Sequence, residues 1–290
     1  MITKLLTPVR TTEALSEWTI QSYHWAKRIQ VYTEPGNFPE TTDCLLAIIG
    51  LPESRGSLQN SGSDTGADII RKHVYQLAVN EYPLQLIDAG DIIPGETPED
   101  TWQHIKMVME WFLGQQILPI LIGGSQDNTI GQYLGYEFLG QAVNLTVLDE
   151  RIDLDDPEYL PPARTWLQHI FKHEPKYLFN YSAIAYQMHF NAQEVLRAID
   201  DLFFDATRLG RLKENIQFAE PEVRDADLMS IDISCIRAAD APGIAHATPN
   251  GLSGWEICQI MRYAGMSDKI TSLGIYEYNP MFDNQELTAK

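Results

Sequence analysis

The chain has 290 residues, 44% of them hydrophobic, and carries 40 Asp and Glu against 21 Lys and Arg, for a formal charge of -19. That balance would repel a phosphate backbone, so nucleic acid is excluded as a partner, and the even spread of acids along the chain describes a solvated surface. Three scattered cysteines, Cys44, Cys235 and Cys258, give neither a disulfide framework nor a zinc ribbon and fit a reducing cytoplasm; no apolar run exceeds strand length, which excludes a membrane span.

Short β-rich runs alternate with helical patterns, as in βαβ units closing into a parallel sheet. Strands are expected at Cys44 to Gly50, Leu84 to Asp88, Leu118 to Ile122, Val143 to Asp149, Tyr177 to Ser182, Leu228 to Asp232 and Ile270 to Tyr276. Helices are expected at Gly66 to Asn80, Pro98 to Gln115, Asn128 to Leu139, Ala192 to Leu209 and Ser253 to Ala264, the last opened by a capping box of Ser253 and Glu256. The Ser- and Gly-rich stretch from Ser54 to Gly66 reads as a mobile surface loop, and no position reads as a linker between two cores.

Ligands of such sheets sit outside the carboxyl ends of the strands. Three polar clusters stand there: Gly123-Gly124-Ser125-Gln126-Asp127, Asp149-Glu150-Arg151-Ile152-Asp153 and Asp232-Ile233-Ser234. An extended backbone places Asp149, Arg151 and Asp153 on one side. Each cluster alone is open to a plainer reading, an acidic loop, an N-cap or an isolated ion pair.

Together, in this order and spacing, the clusters resemble the signature of the arginase/agmatinase/formimidoylglutamase (ureohydrolase) family. The first is similar to its Gly-Gly-Asp-His-Ser segment, the second to Asp-Ala-His-x-Asp, and Ser230 to Ser234 to Ser-x-Asp-x-Asp. Ala241-Pro242-Gly243, Thr248 to Ser253 ahead of Glu256, Glu277-Tyr278-Asn279-Pro280 with Asp283, Gly66 to Arg71 and Asp88 to Asp91 extend the match. The resemblance implies a three-layer αβα fold with a mostly parallel sheet of about eight strands, covering residues 44–290 and lacking the family's terminal helix, with residues 1–43 an N-terminal extension packed on it. A domain ending there is expected to expose apolar surface, as a shortened chain or one completed by a partner.

The family holds two Mn²⁺ ions with four Asp and two His, which suit that ion and supply a nucleophile at neutral pH. Carried over by position, Asp149, Asp153 and Asp232 match carboxylate ligands, whereas Gln126 and Arg151 stand where histidines belong and Ser234 where the fourth Asp belongs. Arginine has no lone pair to donate, so the second metal position is lost. The expectation is that the Arg151 guanidinium lies among Asp149, Asp153 and Asp232 in place of the metals, with Arg237 adding positive charge, and that no cofactor is needed. The alternative has Arg151 turned to solvent and one Mn or Mg ion bound by the three acids and Gln126. Glu277, Asn279 and Arg237 are candidate substrate contacts, since Glu in this segment helps receive a guanidinium in the arginase branch.

Two functional readings follow from the resemblance. One is an inactive scaffold serving as a binding or assembly module. The other is a hydrolase of C–N bonds in a small amidine, guanidine or amino-acid-like ligand, nearest to formimidoylglutamases by the long insert between Ser182 and Asp227 and by Asn250. A cytoplasmic homo-oligomer is implied in either case.

Overall fold

The computed structural model describes residues 2–10, 21–79 and 84–290. Among them are ten strands: β1 (Leu6–Thr7), β2 (Gln30–Val31), β3 (Leu46–Gly50), β4 (Leu86–Ile92), β5 (Leu118–Ile122), β6 (Val143–Leu148), β7 (Leu178–Tyr186), β8 (Asp205–Arg208), β9 (Leu228–Asp232) and β10 (Ser272–Tyr276). They form one sheet in the order β1-β4-β3-β5-β10-β9-β6-β7-β8, with β2 also pairing with β4. Only the β1–β4 pair among these is antiparallel.

Helices are α1 (Gly66–Val74), α2 (Pro98–Gly114), α3 (Thr129–Leu134), α4 (Trp166–Lys172), α5 (Gln193–Asp201), α6 (Leu209–Glu214), α7 (Glu220–Arg224) and α8 (Gly254–Gly265). Alternating side chains of the strands feed opposite faces, as a sheet buried on both sides requires. Leu145 and Val147 join Ile105, Tyr133, Trp166 and Ile199 from α2 to α5, whereas Leu148 and Ile231 join Leu212, Val223 and Ile260 from α6 to α8. The result is the three-layer αβα arrangement. No helix among the described residues is long and apolar enough to cross a membrane.

The capping box of α8 forms in both directions, with Glu256 N donating to Ser253 Oγ (3.3 Å) and Ser253 N to Glu256 Oε2 (2.7 Å). The single helix expected over Ala192 to Leu209 is instead α5 followed by β8. The chain reverses at Phe203, whose φ of 58° ends the helix, and Asp205 to Arg208 then add to β7. Helix α1 ends at Val74, and the Asn80 at which the sequence placed its end lies outside the described residues.

The stretch from Ser54 to Gly66 is not the mobile surface loop its composition indicates. Its Asn60 and Ser63 are buried, Gly124 N donates to Ser63 O (2.9 Å), and an added Cβ on Gly124, with φ of 74°, would lie 2.8 Å from O of the preceding Glu53. That contact accounts for a glycine at the end of β5.

Candidate active site

The polar clusters meet at the carboxyl ends of β5, β10, β9 and β6, four neighbouring strands at the centre of the sheet. A cavity of about 430 Å³ opens there, and Asp149, Asp153, Asp232, Ser234 and Glu277 line it.

Asp149 Oδ1 accepts from the backbone N–H of Arg151 (2.9 Å) and from Ser234 Oγ (3.1 Å). Asp153 is held at both oxygens, by Arg164 Nε (3.1 Å) and by Trp166 Nε1 (3.1 Å). Asp232 Oδ1 accepts from Ser234 N at 2.7 Å. Burial, followed by Asp153 and Asp232, holds the Asp149 carboxyl well above the usual carboxylate range. Burial also raises Asp153, against the pull of Arg164, and it raises Asp232 well above that range with Glu277 next in effect.

The amide of Gln126, fully buried, lies against two of these acids. With its nitrogen turned toward them it donates to Asp149 Oδ2 and Asp153 Oδ2 at 2.9 Å each; with its oxygen there, three oxygens meet without a hydrogen between them. The first orientation satisfies both sides, so a cation entering between the acids would require the amide to turn over. Among the described residues no three His, Cys, Asp or Glu are grouped closely enough to hold a metal ion. Asp149, Asp153 and Asp232 offer the hard oxygens that a divalent cation takes, and the Gln126 oxygen would join them only with the amide turned over, so the side chains would have to draw together to hold an ion. Arg151 and Ser234 do not fit the second position, since a guanidinium donates no lone pair and the Ser234 hydroxyl is bonded to Asp149.

Arg151 does not fill the metal space as the sequence reading placed it. Asp149 folds the chain back on the Arg151 N–H, an Asx turn, so the extended alternation that puts residues 149, 151 and 153 on one side does not hold. The guanidinium instead sits 4.3 Å over the Phe190 ring, donates to Phe190 O (3.3 Å) and pairs with Glu150 Oε1 (3.4 Å). The countercharge beside the acids is Arg164, on a segment that no motif marked. Arg237 is also elsewhere: it is exposed and paired with Asp240 at 2.9 Å.

Glu277 is buried, with a φ of 69°, and its carboxyl is pushed up to about 7 by burial against the hydrogen bonds it accepts. Those come from Gln126 N (2.9 Å) and Asn60 Nδ2 (2.7 Å). Asn279 does not line the cavity; its Nδ2 donates to Asn60 Oδ1 (3.0 Å) and its Oδ1 accepts from Met281 N (3.0 Å), so it shapes the turn. Asn60, Arg164 and His246 were not singled out for the site from the sequence, and each is brought to it by a loop.

The sheet thus gathers buried acids at the carboxyl ends of its central strands. The signature of the Arginase family matches residues 45–290, and the chain belongs to that family. It is 23% identical over 261 residues to the formimidoylglutamase of Lysinibacillus sphaericus, covering 84% of this chain and 80% of that one. It is 25% identical over 291 residues to that of Rhodococcus jostii, covering 93% and 88%. Among solved structures it is similar to Trypanosoma cruzi formiminoglutamase with Mn²⁺ (TM-score 0.80, 18% identity, 92% and 93% covered) and to Bacillus subtilis formimidoylglutamase (0.79, 19%, 92% and 87%). Bacillus cereus arginase follows at 0.70 with 20% identity, 85% and 94% covered.

These findings correct the expectation that no cofactor is needed. The T. cruzi protein of this fold is a Mn²⁺ complex. The ground for the expectation also fails here, because Arg151 stacks on Phe190 and does not lie among the acids.

Proposed function

We propose that this protein hydrolyses the C–N bond of a linear amidine that carries carboxylates, in the manner of a formimidoylglutamase. The observation that carries the reading is that Asp149, Asp153, Asp232 and Glu277 line one cavity at the carboxyl ends of the central strands, with the Gln126 amide against Asp149 and Asp153. A divalent cation held by Asp149, Asp153 and Asp232 would supply Lewis acidity and an activated water at neutral pH. The inactive-scaffold reading rested on the replaced ligand positions Gln126, Arg151 and Ser234 and on a guanidinium closing the site, and Arg151 does not close it.

The other groups are disposed for such a substrate. Glu277, at the cavity wall, presents a carboxyl to the planar, cationic amidine, whose paired N–H groups match its two oxygens. Arg151 and Arg164 line the same cavity and supply positive charge for substrate carboxylates, while burial and these two guanidinium groups hold the neighbouring His246 below the usual imidazole range, a neutral hydrogen-bonding group. Water adds its oxygen to the amidine carbon, the bond to the substrate amine breaks, and that amine leaves with a proton, giving an amide and the free amine.

The test is release of formamide and glutamate from N-formimidoyl-L-glutamate with added Mn²⁺, beside L-arginine and formamidine. The expected result is turnover of the first, abolished by EDTA, and at least about a hundredfold lower kcat/KM for the other two. No formamide from N-formimidoyl-L-glutamate under those conditions overturns the reading.

A further inference from the structure

We infer that Asn60 is a positioning residue for Glu277, and that it sets the amidine-receiving carboxylate in place by tying together three walls of the cavity. The inference rests on the proposed function and adds to it a residue that no motif of the chain marks.

Asn60 is 1% exposed, within a segment rich in Ser and Gly that a solvent-exposed loop would also show. A buried amide has two donors and an acceptor oxygen with two lone pairs, and every unpaired one is costly. In Asn60 the amide is fully engaged. Its Nδ2 donates to Glu277 Oε2 and to Glu277 O, both at 2.7 Å. Its Oδ1 accepts from Asn279 Nδ2 (3.0 Å) and from Ala245 N (3.2 Å). One side chain thus joins the loop after β3, the turn after β10 and the segment that carries Ile244 and His246 into the cavity.

The arrangement is specific to the carboxylate. Glu277 sits at φ of 69°, a conformation a β-carbon-bearing residue adopts only when its surroundings hold it. Asn60 grips both its main-chain carbonyl and its side chain, which fixes the backbone and the carboxylate plane together. The second Glu277 oxygen is held by Gln126 N at 2.9 Å, so the carboxylate plane is defined from two sides. The loop is also seated for this contact: an added Cβ on Gly62 would lie 2.4 Å from Asn279 Oδ1. A larger residue there would push on the Asn279 amide that Asn60 holds.

The experiment is a double-mutant cycle of Asn60→Ala and Glu277→Gln, read in KM and kcat for N-formimidoyl-L-glutamate with Mn²⁺ and in the dissociation constant for formamidinium measured by calorimetry without added metal. The expected result is that Asn60→Ala raises KM and weakens formamidinium by about tenfold or more while kcat changes by less than about threefold. In the Glu277→Gln background, Asn60→Ala should add less than about threefold to either, because the two residues act as one unit. Asn60→Ser, which keeps a donor on a shorter side chain, should fall between Ala and wild type and serves if Asn60→Ala does not fold. A KM for Asn60→Ala within about threefold of wild type, or effects that multiply in the double variant, overturns the inference alone. A wild-type chain that neither turns over the substrate nor binds formamidinium overturns the proposed function, and the inference with it.

Discussion

Replacing Arg71 by methionine is expected to lower the unfolding free energy by about 3–5 kcal/mol, the range for breaking a buried ion pair from one side. Arg71 is 0% exposed and meets two buried acids, with the more exposed Asp68 at 3.6 Å. Its Nε and Nη2 form a fork on Asp88 (2.8 and 3.0 Å), its Nη1 reaches Asp91 (2.5 Å), and Nη2 also donates to Gly90 O (2.9 Å). Tyr75 adds its hydroxyl to Asp88 at 2.8 Å. Gly50 leaves room for the cluster, since an added Cβ there would lie 1.9 Å from Asp91 Oδ1. Without the guanidinium two buried carboxylates lose their countercharge, and burial alone already works to raise Asp91. Arg71→Lys should recover only part of the loss, because an ammonium cannot fork. Urea denaturation reads both variants, and a loss under about 1 kcal/mol for Arg71→Met would contradict this account of the cluster.

Mn²⁺ is expected to stabilise the chain strongly and in a pH-dependent way. Asp149 and Asp232 are held well above the usual carboxylate range, so the folded state binds their protons more tightly than the unfolded one does. A raised carboxyl pKa gives stability that is fully present below the unfolded value, about 4, and is lost as pH rises through the folded value. The metal-free chain should therefore lose stability from about pH 4 upward on account of these groups. A cation takes the place of the protons, so its effect grows as they leave. At a hundred times its dissociation constant Mn²⁺ should add about 2.7 kcal/mol, read as a higher melting temperature, with a larger shift at pH 8 than at pH 5.5. Equal shifts at the two pH values, or none, would contradict the placement of the cation among these acids.

Much of this architecture is legible in the residues, and the gaps have local causes. The strands that frame the site are apolar runs ending in Gly123, Asp149 and Asp232, and such runs announce themselves because both sheet faces are buried. The two-residue strands β1 and β2 and the four-residue β8 carry no such run and are defined by what they pair with. Arg71, Asp88 and Asp91 fit family positions in sequence, yet their pairing is a tertiary fact. At Arg151 a period-two reading failed because Asp149 accepts the Arg151 N–H, a turn chemistry that Asp favours and that alternation ignores. At Asn60 composition failed for a different reason: Ser and Gly mark solvent loops on average, and here they permit close packing against Glu277 and Asn279.

The claim that the acids form a working cation site and not a relic closed by an internal guanidinium is tested most directly by titrating Mn²⁺ into wild type and Arg151→Ala by calorimetry. Because Arg151 is stacked on Phe190 and paired with Glu150, wild type should bind Mn²⁺ and Arg151→Ala should bind it within about threefold of the same affinity. A wild-type chain that binds no Mn²⁺ while Arg151→Ala does would show the guanidinium in the metal's place and contradict the account.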